Sequence, residues 1–481
     1  MEVTVRSPIE QSIIAKSLAD CFQLQRASFH MHGIETNIER KQHLLNLKLL
    51  VTNHCEEIIE AINQDYGNRS RHETLLAEII TATDDINNNI KNLKKWTRIQ
   101  KRKVDHSMYF GAKNRVIPQP LGVIGIIVPW NFPINLMISQ LSAAFAAGNN
   151  AMVKMSENSK FLSQLFIKLV PKYFTREKLQ IFEETGDVGI EFSKLPFDHL
   201  MFTGSGATGR KVMEAAAKNL TPVTLELGGK SPAVIDPDYP IEKAVERIMF
   251  VKQFNAGQIC TNVDYLFIHE SKLNEFIQAS TNWVDKHIPD INSKDYTSII
   301  DKKSYERLMS CLLDAESKGA KIINLNRQEA NPLTRKIPLT LVLNSNDKME
   351  IDFREIFGPI LMIKTYQKPK QVVDYIIQKD RPLAFYPFSY NKNLVEFYIN
   401  NIMSGGVSVN DALFHVGQHD LPFGGIGASG MGHYHGYEGF LTFSKLRPVF
   451  YQASFSSMKF LAPPYGKFAT WVFNLLVKMK S

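Results

Sequence analysis

The sequence predicts an α/β fold with two doubly wound parallel sheets. Two observations predict it: short apolar runs alternate with helical patterns from about residue 120, and the same alternation starts afresh after about residue 228. Strand, helix, strand in succession implies parallel pairing with helices on both sheet faces. The first hundred residues are mainly helical. Residues 37 to 66 place apolar side chains at three- and four-residue intervals and stop at Gly67, which reads as one long amphipathic helix. The runs LGVIGIIVPW (121 to 130), NNAMVKM (149 to 155), HLMFTG (199 to 204), TPVTLEL (221 to 227) and PAVID (232 to 236) read as strands. NLMISQLSAAFAA, KFLSQLFIKLV and GRKVMEAAAKN read as the helices between them. In the second half DYLFIHE and GPILMIKTY read as strands and PKQVVDYIIQK as a helix. No repeat, Pro-rich linker or low-complexity tract interrupts the chain.

Composition narrows the function classes. With 44% apolar and 22% charged residues in 481, the chain can bury sizeable cores. Cys21, Cys55, Cys260 and Cys311 are scattered, with neither disulfide nor zinc spacing, which suits a reducing cytoplasmic setting. The histidine pairs HMH (30 to 32), HVGQH (415 to 419) and HYH (433 to 435) lack a completing acid or thiol, so no metal is expected. The N-terminal stretch lacks a basic region followed by an apolar run and does not read as a secretory signal. No run reaches membrane-spanning length.

The net charge of +8 is concentrated in two places. Seven basic residues and no acid lie between Lys91 and Lys103; with one aromatic and no nucleic-acid-binding motif, this reads as a solvated helix face. Six more follow Glu438, ending in FATWVFNLLVKMK. That tail is too short to span a bilayer, and packing on protein is favoured over contact with a membrane surface.

Three local features carry chemistry. Gly204, Gly206 and Gly209 in GSGATG follow a strand and open a helix, a setting in which backbone N–H groups can hold a diphosphate. Gly425, Gly427 and Gly430 satisfy the same pattern without a following helix and read as a tight loop. Glu226 sits 22 residues after Gly204, where a ribose-binding acid is expected, yet LGGK follows it and exposes it to a cavity. Lys154 and Glu157 at another strand end can take a ribose instead, leaving Glu226 for proton transfer. The stretch FNAGQICTN places Cys260 in a small-residue loop and not on a core face.

PWNFP (129 to 133), VKMSE (153 to 157), FTGSGATG (202 to 209), LELGGK (225 to 230), FNAGQIC (254 to 260), EIFGP (355 to 359) and LPFGGIGASGMG (421 to 432) together resemble the aldehyde dehydrogenase superfamily, in its order and spacing. LPFDHLMFTGS, NDALFHVGQHDLPFGG and GHYHGYEGFLTFS resemble its class 3 branch and, within that, the bacterial coniferyl-aldehyde dehydrogenases. Departures are Met155 for the usual Pro, Gly206 for Thr and Thr208 for Val in the ribose and diphosphate motifs.

The resemblance implies NAD- or NADP-dependent oxidation of an aldehyde through a Cys260 adduct. Asn131 and the Cys260 N–H would hold the oxyanion, and Glu226 would activate the hydrolytic water. Lys154 and Glu157 would hold the adenosine ribose, Gly204, Ser205 and Gly209 would form the diphosphate turn, and Glu355 and Phe357 would position the nicotinamide half. Glu157 should repel a 2′-phosphate, although the class 3 branch accepts both cofactors. An acylating, coenzyme A-dependent relative and a noncatalytic descendant are the alternatives; Glu226 argues against the first, and the presence of Cys260, Glu226 and Asn131 together argues against the second. The expected organisation is a cofactor-binding unit (1–104 and 119–227), a catalytic unit (228–432), and a bridging arm and tail (105–118 and 433–481). The arm's exposed sheet edge predicts a homodimer.

Overall fold

In the computed structural model, which describes residues 8–481 apart from Ser107 and Phe455, three sheets organise the chain. The first seven residues, part of the stretch that does not read as a leader, lie outside the described residues, as do those two positions of the expected arm.

The first sheet has six strands, in the order Gly430–Met431, Val223–Leu227, His199–Gly204, Val123–Ile127, Asn150–Lys154 and Leu179–Phe182. All neighbours are parallel except Gly430–Met431, which pairs antiparallel with Leu225 and Glu226. Val123–Ile127 comes first in sequence and lies inside the sheet, so the chain winds outward on one side and then on the other. This reversal opens a crevice at the carboxyl ends of the strands, the usual place for a ligand in such sheets. The strands read as continuous apolar runs because both faces are covered: Val123–Ile127 and Asn150–Lys154 are buried at every position. Pro133–Ala147, one of the covering helices, starts with Pro133 at its first turn and stops at Gly148 in the left-handed region (φ 92°). It is buried nearly all round, as its uniformly apolar sequence requires.

The second sheet runs Lys321–Asn324, Thr340–Leu343, Ile360–Tyr366, Tyr265–His269, Pro232–Ile235, Ala384–Phe388 and Gly406–Val407. Only Lys321–Asn324 is antiparallel. A continuous apolar core containing Ile126 and Phe145 of the first half and Leu266 and Tyr386 of the second joins the two sheets. In the third sheet Lys113–Pro120 lies between Gln100–Arg102 and Ser444–Tyr451, antiparallel to both, so Gln100–Arg102, expected in the cofactor-binding unit, pairs instead with the expected arm.

The long helix expected over 37 to 66 is two helices, Asn37–Asn53 and Cys55–Tyr66, broken at His54. His54 leaves the helical region (φ −117°, ψ 23°), and its ring hydrogen-bonds Glu57 and the Tyr173 hydroxyl, an arrangement that compensates for the break. Gly67 ends the second helix at φ 74°, as expected. The basic run is solvated but only partly helical: Lys91, Lys94 and Lys95 lie on Thr81–Trp96, whereas Lys101 and Arg102 belong to the arm's edge strand. The tail forms the helix Lys467–Lys480. No helix among the described residues is long and apolar enough to cross a membrane.

Candidate active site

Cys260 lies between the helix Ile241–Gln253 and the strand Tyr265–His269, in a loop whose backbone is held in an unusual conformation. Asn255, Ala256 and Gly257 all have positive φ (52°, 49° and 71°), which for the first two costs conformational energy that the surroundings must offset. The loop is tied from several sides. The Gln258 amide donates to the carbonyls of Asn255 and Ser298, and its oxygen accepts the Ile300 N–H. Asn262 donates to the Gly257 carbonyl at 2.6 Å. Tyr386, fully buried, donates its hydroxyl to the Thr261 carbonyl at 2.5 Å and accepts the backbone N–H of Leu413. A side chain at Gly257 would run into the Gly358 carbonyl, so this position requires glycine for space as well as for φ.

The half-buried thiol is pushed up to about 12 by burial and by the nearby charges of Glu355 and Glu226, against a smaller favourable contribution from the N–H groups of Cys260 and Thr261. Glu226 is the penultimate residue of the strand Val223–Leu227 and is 2% exposed, and neither carboxylate oxygen has a hydrogen-bond partner. Burial pushes its pKa well above the usual carboxylate range. A buried acid without a partner is costly in a structural role, and such groups mark functional sites. Asn131 follows the strand Val123–Ile127, is buried, and directs its amide N–H to the Gln258 carbonyl at 3.3 Å, two residues before the thiol. The three residues from separate motifs therefore converge at the carboxyl edge of the first sheet.

Asn131 is fixed by groups that the motif reading missed. Its carbonyl accepts from the Tyr66 hydroxyl, Arg69 Nη1 and Asn255 Nδ2 at 3.1, 2.9 and 3.3 Å. The guanidinium of Arg69 is fully buried, 3.8 Å from Glu78 and within electrostatic reach of Glu73. Glu78 accepts the N–H groups of Ile134 and Asn135, capping the helix that starts beside Asn131. Glu78 lies in a π-helical turn, Leu75–Ile80, an irregularity often found near functional sites. A paired Arg and Glu in a predominantly polar helical stretch carry no motif, so the sequence offered no signal for them.

The glycine turn at 204 to 209 joins a strand to a helix. The strand His199–Gly204 leads into the helix Gly206–Ala217, capped by Ser205, whose hydroxyl accepts the Thr208 N–H. A Cβ at Gly204 would overlap the Phe202 ring of its own strand, and one at Gly209 would overlap Leu227, so Gly209 allows the helix to pack closely on the sheet. At Gly206 an added Cβ would meet only Arg210 at 3.8 Å, leaving the turn open to a diphosphate on the helix N-terminus. The second glycine pattern forms no helix; Gly427 and Gly430 have positive φ in a loop pairing back onto Glu226. The Glu355 carboxylate accepts the Gly229 N–H and occupies the space where a Gly228 side chain would stand. Burial and the Asp264 charge push its pKa to about 8. Phe357, at φ 49°, meets Trp130 edge to face at 5.6 Å. Lys154 at its strand end is paired with Glu184 at 2.7 Å, whereas Glu157 is exposed and accepts from Ser156.

The aldehyde dehydrogenase family profile matches residues 18–449. The chain belongs to the aldehyde dehydrogenase family. It is thus an NAD(P)-dependent oxidoreductase acting on aldehydes. Among relatives, the probable coniferyl aldehyde dehydrogenase of Pseudomonas aeruginosa is 43% identical over 93% of both chains. The coniferyl aldehyde dehydrogenase of a Pseudomonas species is 41% identical over 91% of this aldehyde dehydrogenase and 92% of its own length. The solved substrate-bound Staphylococcus aureus AldH superposes with a TM-score of 0.90 at 33% identity, over 95% of this chain and 99% of its own.

The other cysteines of this aldehyde dehydrogenase sit on helices, with Cys21 and Cys311 buried. Of the aromatic residues in the C-terminal half, Phe385, Tyr386, Phe388, Phe440 and Phe443 are fully buried core, and Phe414 is exposed.

Proposed function

We propose that the protein oxidises an aromatic or enal aldehyde of the coniferaldehyde type, or a medium-to-long aliphatic one, through a thiohemiacetal and then a thioester on Cys260. The observation that carries this reading is the convergence on one thiol of an amide donor, Asn131, and a buried carboxyl with no partner, Glu226.

The Cys260 sulfur, once deprotonated, bonds to the carbonyl carbon. The negative oxygen that forms is held by the Asn131 amide and the Cys260 N–H, where each donor is worth roughly 3 kcal/mol of barrier. Bound NAD(P) supplies the acceptor for the aldehydic hydrogen and its two electrons, and a thioester is left on the sulfur. Glu226 then takes a proton from water as the water oxygen attacks the acyl carbon, the C–S bond breaks, and the acid leaves. Glu226 has no protein hydrogen bond to give up when it takes that proton. Its presence disfavours the coenzyme A-dependent alternative, in which no base for water is needed. The residues fit the cofactor: an open glycine at 206, a capped helix N-terminus, and Glu355 resting on Gly229.

For the substrate class, Phe414 is the exposed aromatic with a link to the nucleophile. It stacks on Phe250 at 6.2 Å, and its neighbour Leu413 is hydrogen-bonded to the same Tyr386 hydroxyl that holds Thr261. The test is coniferaldehyde with NAD and with NADP, following reduced cofactor and the acid product. Turnover that vanishes in Cys260→Ala is expected; acid formation by that variant at the wild-type rate overturns the reading.

A further inference from the structure

Glu184 is the residue whose contacts neither the motifs nor the mechanism explains. It follows the strand Leu179–Phe182, which pairs with Asn150–Lys154 so that Phe182 lies opposite Lys154. One carboxylate oxygen accepts the N–H groups of Gly186 and Val188 at 2.9 and 3.1 Å. The other accepts the Gly189 N–H at 2.9 Å and Lys154 Nζ at 2.7 Å. Both side chains of the ion pair are largely buried, 9% exposed for Lys154 and 13% for Glu184. The Lys154 ammonium and Gly189 are fitted together: a Cβ at 189 would stand 3.0 Å from the Glu184 oxygen and 3.3 Å from Lys154 Nζ. Glu157, in contrast, is exposed.

We infer that Glu184 makes the protein discriminate against a 2′-phosphate on the adenosine ribose, and so selects NAD over NADP. The inference rests on the reading above that the ribose lies at the Lys154 strand end. A phosphate there needs positive charge and N–H donors, since charge-assisted bonds of that kind dominate its binding. Glu184 already holds four such donors and adds a negative charge of its own. A 2′-hydroxyl, being uncharged, loses little by this. The acid stays ionised, because the Lys154 charge and the backbone N–H groups outweigh the burial that opposes it and hold its carboxyl below the usual range. Selection is therefore built into a loop one strand away from the exposed Glu157 to which the sequence assigned it.

The test is calorimetric titration of the full-length protein with ADP-ribose and with 2′-phospho-ADP-ribose, which differ only in the phosphate. The wild type is expected to bind the 2′-phosphate form roughly tenfold more weakly. Glu184→Gln keeps the side-chain shape and removes the charge. It is expected to close most of that gap by tightening the 2′-phosphate form while changing ADP-ribose affinity by less than about threefold. Equal affinities in the wild type overturn the inference and need no variant. So does an unchanged ratio in Glu184→Gln with ADP-ribose still bound, which leaves the cofactor reading intact. Failure of ADP-ribose to bind the wild type at all overturns the cofactor reading and the inference with it.

Discussion

Replacing Glu226 by Gln separates the two halves of the proposed reaction. Burial raises the carboxyl well above the usual carboxylate range, and it makes no hydrogen bond, so an isosteric neutral amide loses no native interaction. The melting midpoint should therefore shift by no more than about 1 kcal/mol equivalent, the ordinary scale for a substitution without a lost partner. The chemistry should respond differently. A general base is worth roughly 10²–10⁴-fold, or about 3–5 kcal/mol of barrier, and only the water-dependent step needs it. Rapid mixing of the variant with aldehyde and cofactor should give a burst approaching one reduced cofactor per subunit, followed by a steady rate lower by that factor. Intact-mass analysis should find the acyl group on Cys260. In the wild type the steady rate should rise with pH, since only the ionised acid can take the proton and its pKa is raised; the variant should lose that rise. A variant that turns over within about threefold of the wild type, or shows no burst, refutes the assignment of Glu226 to water.

Gly257→Ala should cost roughly 1–3 kcal/mol in urea melts, because the new methyl meets the Gly358 carbonyl at positive φ. It should also lower kcat, since the displaced loop carries Cys260. Phe414→Ala should raise KM for coniferaldehyde several-fold while leaving KM for a short aliphatic aldehyde near its starting value; equal changes for both would remove Phe414 from the substrate site. Folding stability should fall as pH rises between about 4.5 and 8. Burial raises Glu73 and Glu78 to about 7 and Glu355 to about 8, so the native state binds more protons than the unfolded chain across that window. Glu78→Gln should flatten that dependence in thermal melts taken at several pH values. Light scattering is expected to show a dimer, formed along the exposed strand Ser444–Tyr451; a 54.7 kDa particle at all concentrations would exclude it.

The parts legible in the sequence are those where one residue type has one physical use. Apolar runs gave four of the six strands of the first sheet within two or three residues, because both faces are buried and alternation is absent, whereas the short strands Leu179–Phe182 and Gly430–Met431 carried no such run. Gly204 and Gly209 were readable by their spacing between a strand and a helix, and at Gly209 the close packing of the helix on Leu227 excludes any side chain. Short pieces with mixed composition were not: Lys321–Asn324 is a half-exposed edge strand, and Ala384–Phe388 contains a proline. The break at His54 was hidden because its compensation comes from Tyr173, more than a hundred positions away.

The same distinction runs through the site. Cys260, Glu226 and Asn131 could be named because their neighbours in sequence carry the pattern, yet what holds Asn131 comes from Tyr66 and Arg69, which no spacing rule connects to it. Lys154 shows the limit most clearly. Its place at a strand end is local information, but its partner is fixed by the pairing of two strands, and that pairing brings Glu184 within 2.7 Å in place of Glu157, three positions along the chain. Residues that act by contact across strands are set by sheet register, and a one-residue change in register would move Glu184 to the other face. Cofactor choice in this protein is thus a property of the fold's pairing, and Glu184 is where that claim can be measured.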